Sequence, residues 1–176
     1  TTLGGAPFTT GVGDLTSGCN SSTPSIVPCF GLEVLDFFQG QQTNGEDVAD
    51  DRSNPMAATG VPELDNSEGS FFSLGVGGFI EIAFAGVVED LPGNDILVVE
   101  TSFSGDDCGL GDDEFASIAL TQDGITWVEY GEICRDEEID IAGTGLDFVV
   151  AIRITNSAET GTSDGYDVDG VVAIQG

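Results

Sequence analysis

The sequence has no lysine and no histidine, and three arginines stand against 32 aspartates and glutamates, for a net charge of −29. Without lysine there is neither a Schiff-base nucleophile nor an ordinary P-loop. Without histidine there is no His-based triad, and most zinc sites lose their usual ligand. So few cations cannot neutralise a nucleic-acid backbone or dock on an anionic membrane. No window approaches the roughly 18 apolar residues of a membrane span. One tryptophan and two tyrosines leave few polar-tipped rings for stacking on a ligand. The partners that fit are cations, water and neutral polar surfaces.

What is present is glycine and short apolar runs. Of 176 residues 26 are glycine, and 40% are hydrophobic, so the chain can bury a core and turn often. A length of 176 residues fits one domain, taken here as 1–176, with a Gly/Ser/Thr/Pro-rich N-terminal segment over 1–30. Strands are predicted at 31–38, 71–74, 79–84, 96–99, 115–120, 125–130, 147–154 and 168–174. Alternation over 79–84 sets Ile80, Ile82 and Phe84 on one face and Phe79, Glu81 and Ala83 on the other. The polar stretch 39–70 reads as turns, with room for a helical turn near Met56–Ala58. No ten-residue stretch has helical periodicity. The predicted fold is all-β, a jelly-roll-like β-sandwich.

Four cysteines, Cys19, Cys29, Cys108 and Cys134, form no CxxC pair. An even count without metal-site spacing predicts two disulfides and an extracellular, oxidising location. Of three possible pairings, Cys19–Cys29 and Cys108–Cys134 are preferred, because each pair is close in sequence and sits in or beside loop-like chain. Asn20-Ser21-Ser22 is a formal glycosylation sequon.

The acids cluster at Glu89–Asp95, at Asp106–Asp107 with Asp112–Glu114, at Asp136–Asp140 and at Asp164–Asp169. The first and last lie where irregular chain meets an apolar strand. A carboxylate partly buried at such a junction needs a cation or several N–H donors. Calcium takes six to eight hard oxygen ligands from such loop ends, and magnesium is rarely held in an all-protein cage. The expected calcium ligands are Asp95, Glu100, Asp164, Asp167, Asp169, Glu89 and Asp90. Asp167 and Asp169 share a phase, whereas Asp95 and Glu100 do not. The 106–114 and 136–140 groups read as loop surface. With this many acids a glycosidase-like pair would arise by accident, and no Gly-x-Ser-x-Gly elbow is present, so no enzyme activity is expected. Trp127, Tyr130 and Tyr166 are the candidate sugar-stacking residues, with strand packing the plainer role for Trp127. Phe37-Phe38 and Phe71-Phe72 read as core and strand-end packing. Each scarce arginine is expected to pair with an acid, Arg153 above all, because it sits mid-strand.

Taken in order, five segments resemble a family of exported bacterial and archaeal cell-surface domains. They are Asn54–Pro62, Ser73–Phe84, Gly93–Glu100, Ala116–Ile118 through Trp127, and Gly165–Val171. The resemblance implies a jelly-roll-like sandwich, a surface location and bound calcium, and little about activity. Four cysteines and no lysine depart from the family pattern. The expected role is a secreted, calcium-stabilised adhesive or structural module of a cell surface or filament, self-associating into an assembly. The alternative is a carbohydrate-binding module for neutral polysaccharide, using calcium and exposed aromatics. Abundant carboxylates also suit a halophilic host.

Overall fold

The computed structural model describes residues 19, 29–64, 66–67, 69–101, 108, 114–157 and 164–174. Nine strands follow in chain order: β1 Cys29–Phe38, β2 Phe72–Ser73, β3 Phe79–Glu89, β4 Ile96–Glu100, β5 Phe115–Thr121, β6 Val128–Cys134, β7 Glu137–Ile139, β8 Phe148–Asn156 and β9 Asp167–Ala173. All strand pairings are antiparallel. They run in the order β6-β5-β8-β3-β1-β9-β4-β7, with β2 beside β9. This is the all-β sandwich expected. Among the described residues no helix is long and apolar enough to cross a membrane.

The first strand belongs to both sheets. Cys29 and Phe30 pair with Ala173 and Val172 of β9, and from Gly31 onward the strand pairs with β3. A Cβ at Gly31 would lie 2.4 Å from Ile82 Cγ2 and 2.5 Å from Val171 Cγ2. The crossing therefore passes between core side chains of the two sheets, where only glycine fits.

The core follows the alternation. Ile80, Ile82 and Phe84 are buried on β3, and Phe79, Glu81 and Ala83 are half-exposed. Ile118 and Leu120 of β5, Ile152 and Ile154 of β8, and Val168 and Val171 of β9 complete it. Burying each such side chain stabilises the fold by roughly 1.5–3 kcal/mol.

Several boundaries differ from the sequence reading. β3 continues to Glu89, past the expected end at residue 84. β6 begins at Val128 instead of Ile125. Asp123 is the cause, because its Oδ1 accepts the N–H groups of Ile125 and Thr126 at 2.8 and 2.7 Å and holds 122–127 as a turn. Those bonds lower the Asp123 carboxyl to about 2. The acidic run at 136–140 contains a strand, β7, which pairs with β4 and buries only Ile139. The polar stretch 39–70 forms two short 3-10 turns, Asp50–Arg52 and Pro55–Ala58, the second capped by Asn54.

Cys19 is bonded to Cys29 and Cys108 to Cys134, the preferred pairing. Asn20 of the sequon, and the acids at 106–107 and 112–113, lie outside the described residues. The outer edges of the strand path are β6 and β7. Both present exposed glutamates, Glu129 and Glu132 on one and Glu137 and Glu138 on the other.

Candidate functional site

The turn before β9 is fixed from two sides. Leu74 N–H donates to Tyr166 O (3.0 Å), and Gly75 N–H to Asp164 O (2.7 Å). Tyr166 N–H donates to Asn156 Oδ1. The Tyr166 ring is fully buried and its hydroxyl donates to Arg135 O at 2.6 Å. Burial, then the charges of Glu100, Asp136, Glu114 and Glu137, push this phenol well above its usual range. Tyr166 is a wall of the site and has no face to offer a sugar, which corrects the sequence reading.

Around that wall lie four carboxylates. Asp167 opens β9, 1% exposed, and its Oδ1 accepts a 2.5 Å hydrogen bond from Ser73 Oγ. Asp164 is buried, and its Oδ2 pairs with Arg52 Nη1 at 2.7 Å. Arg52 in turn lies 5.4 Å from the centre of the Phe71 ring. Glu100, 8% exposed, ends β4 after a register shift that sets it opposite Val168, and its N–H donates to Asp136 Oδ1 at 2.7 Å. Glu114 stands just before β5 and shares a side-chain hydrogen bond with Glu100. Glu100 Oε1 and Glu114 Oε2 are buried with no hydrogen-bond partner.

The electrostatics follow from this crowding. Burial, the hydrogen bond to Glu100 and the charges of Asp167, Glu100 and Asp164 push Glu114 up to about 10. Burial raises Asp167 to about 8 against the Ser73 hydrogen bond, with Asp164 and Glu100 adding to the rise. Glu100 is raised as well, chiefly by burial, while its hydrogen bond to Glu114 and the Arg135 charge oppose the shift. The Glu114 and Asp167 shifts both favour the protonated acid. A divalent ion there would meet hard oxygen donors and add to the positive charge that Arg135 brings to Glu100 and Arg52 to Asp167.

The seven expected ligands divide. Glu100, Asp164 and Asp167 share a neighbourhood in which their charges act on one another and on Glu114, which the sequence reading left with the loop surface, but among the described residues the three acids whose oxygens converge within 4.8 Å are Asp90, Asp95 and Asp140. The signal was available, since Glu114 abuts an apolar strand just as Asp167 does. Asp95 lies elsewhere, fully buried. Its Oδ1 accepts from Leu91 N–H (3.0 Å) and its Oδ2 from Ile141 N–H (2.9 Å). Carboxylate oxygens of Asp90, Asp95 and Asp140 lie within 4.8 Å of one another. Loss of hydration, then Asp95, Asp140 and Asp147, raises the Asp90 carboxyl. Asp169 spends its two oxygens on Glu63 N–H (2.9 Å) and Leu64 N–H (2.8 Å), a backbone cap in place of a metal ligand. Glu89 is exposed at the end of β3, outside both groups.

Arg153 lies 4.4 Å from the Trp127 ring centre and 5.9 Å from that of Phe79, and pairs with Glu81. Trp127 therefore faces outward, packed on a guanidinium, while Val128 packs on the core. Tyr130 is 37% exposed on edge strand β6. Phe37 and Phe38, expected inside, are 45% and 57% exposed. Phe37 meets the buried Phe72 edge-on with ring centres 5.8 Å apart, so it covers the core from outside.

No protein-family model matches the chain, and no curated protein matches it. Among solved structures, the chain is similar to the C-terminal domain of a chitobiase from Bacteroides fragilis, with 11% identity and a TM-score of 0.46 over 81% of this chain and 91% of that one. A Clostridium perfringens module, CpGH89CBM32-5, in complex with GalNAc-β-1,3-galactose, gives 11% identity and a TM-score of 0.41 over 72% of this chain and 91% of its own. A glycoside hydrolase gives 11% identity and a TM-score of 0.37, over 82% of this chain and 31% of its own length.

Proposed function

We propose that this chain is a secreted, non-catalytic binding module whose loop ends are locked by a calcium ion held by Glu100, Glu114, Asp164 and Asp167. The observation that carries the reading is the pair of buried oxygens, Glu100 Oε1 and Glu114 Oε2, left without partners inside a set of carboxylates. Ordinary buried polar atoms are hydrogen-bonded, and an orphaned pair of this kind calls for a ligand. Ser73 Oγ, already on Asp167, is a further oxygen within the same set.

Raised carboxyls also mark acid–base catalysts, so an enzyme is the competing reading. Burial disfavours it: Glu100 is 8% and Asp167 1% exposed, which leaves them no open face for a sugar. The two disulfides favour an extracellular location. Assembly by strand addition is opposed at both edges, where glutamates of two copies would face each other. Binding of neutral carbohydrate is the partner reading we favour, and a groove with no charged residue in its lining supports it.

The test is a thermal melt of the oxidised protein in EDTA and again with calcium restored. Calcium at about 100 times its dissociation constant should add about 2.7 kcal/mol. For a chain of this size that raises the melting temperature by roughly 5–10 °C. Magnesium or sodium chloride doing as well as calcium would sink the reading, as would a Glu100→Gln variant that kept the full increment.

A further inference from the structure

A surface groove of about 620 Å³ lies where the end of β1 meets the loop leading into β3. Phe38 and Val76 supply its apolar wall, and Gln39, Gln41, Gln42 and Thr43 its polar one. Its backbone frame is tightly built. Gly40 N–H donates to Leu74 O and Val76 N–H to Gln41 O, each at 2.8 Å. A Cβ on Gly40 would stand 2.0 Å from Val76 O, so the two segments touch backbone to backbone. Gln39 Nε2 donates to Ser73 O (2.8 Å) and Arg52 O (3.2 Å), which fixes the back wall.

No charged side chain lines this groove, although the chain carries a net charge of −29. An anionic ligand would be repelled by the molecule, and the neighbouring carboxylate of Asp47 is already engaged by Gln41 Nε2 at 3.1 Å. The polar groups are also oriented. Gln41 Nε2 is tied to Asp47 Oδ1 (3.1 Å) and Gln42 Nε2 to Asp47 O (2.9 Å). Gln41 Oε1 then has no partner among the described residues, and Gln42 Oε1 has only a 3.5 Å contact from Asn44. Phe38, 57% exposed, and Val76, 40% exposed, stand beside these acceptors. An exposed ring next to amide oxygens and a hydroxyl matches a pyranose, which has an apolar C–H face and a rim of hydroxyl donors.

We propose that this groove binds a neutral saccharide, with a sugar face on Phe38 and its hydroxyls on Gln41, Gln42 and Thr43. The inference names the ligand of the module and rests on the reading that the chain binds and does not catalyse. Its evidence is independent of the carboxylate set.

The experiment uses the full oxidised chain in millimolar calcium. The probes are neutral oligosaccharides of gluco, galacto, manno and xylo configuration, read by calorimetry and by amide chemical shifts. At least one member should bind, with shifts concentrated at 38–45 and 75–78. Phe38→Ala should weaken that binding at least ten-fold with the melting temperature unchanged, and Phe38→Trp should retain it. Trp127→Ala should leave affinity as it was. If Phe38→Ala lowers the melting temperature, Thr43→Val, at an exposed position, must reduce affinity on its own. Three results overturn the proposal: no binding by any probe at millimolar concentration, full affinity in Phe38→Ala, or loss only in Trp127→Ala. A normal calcium increment without sugar binding would fault the groove alone, and sugar binding without a calcium increment would fault the cation site alone.

Discussion

Asp95 and Asp167 are the same residue type at nearly the same burial, 0% and 1% exposed, and their surroundings are opposite. Asp95 gives each oxygen a backbone N–H, from Leu91 and from Ile141. Asp167 has one hydroxyl, from Ser73, and otherwise feels the charges of Asp164, Arg52 and Glu100. Burial drives the Asp167 pKa up to about 8. A buried acid is therefore not in itself a mark of a ligand site. What its oxygens accept decides the matter: backbone N–H donors make a structural pin, and crowding by other carboxylates raises the cost of ionisation.

The largest expected effect comes from breaking the pin. Asp95→Ala orphans two backbone N–H groups, each costing about 1–3 kcal/mol when buried. Urea unfolding should show a loss of about 3–5 kcal/mol, with the calcium increment intact. Were the increment to vanish as well, the two regions would be a single site and the contrast would fail.

Asp167→Asn should do the reverse. In EDTA its stability should equal or exceed wild type, because the amide removes a carboxyl that resists ionisation. The calcium increment, about 2.7 kcal/mol at saturation, should disappear. An undiminished increment would remove Asp167 from the cation site.

The pH dependence sharpens the same point. Folding raises Glu114 from 4.5 to about 10 and Asp167 from 3.8 to about 8. The folded state therefore holds protons that the unfolded chain releases. Stability from these groups is full below about pH 4 and is lost as pH rises through 8 and 10. Metal-free protein should melt progressively lower from pH 5.5 to 9, and Glu114→Gln should flatten that slope. Calcium binding at pH 7 should expel protons, visible as a binding heat that varies with buffer ionisation enthalpy. A metal-free melting temperature that rises over this range would contradict the arrangement.

The smallest effect is expected at Asp90. Asp90→Asn should change neither the metal-free melting temperature nor the calcium increment, since the residue is exposed and its neighbour Asp95 is already satisfied. Any partial loss of increment would place a second cation among Asp90, Asp95 and Asp140.

Much of this was readable in the residues. The alternation of Ile80, Ile82 and Phe84 located a core strand, and acids abutting the last strand pointed to Asp167 but equally to Asp169, which accepts the Glu63 and Leu64 N–H groups. Other features depended on long-range contacts. Nothing local separates Asp95 from Asp167, because one of the donors to Asp95 belongs to Ile141, 46 positions away. Glu114 was hidden among neighbouring surface acids, and only the approach of Glu100 made it part of a site. β7 has a single buried residue, so its pairing with β4 and not its own pattern makes it a strand. Phe38 reads as core by composition, yet the end of β1 runs out beyond the sandwich and leaves it bare.

The first strand has a mechanical consequence. Tension that reaches Cys29 pulls on the Ala173 and Val172 pairs of one sheet and, two residues on, on the β3 ladder of the other. A pull from that end therefore loads the two sheets in turn, first the two pairs with β9 and then the ladder with β3. The Cys19–Cys29 bond also shunts a pull applied at Cys19 straight into the strand, past the ten-residue interval. Force entering at Cys19 is thus carried by the backbone ladders of both sheets through one strand.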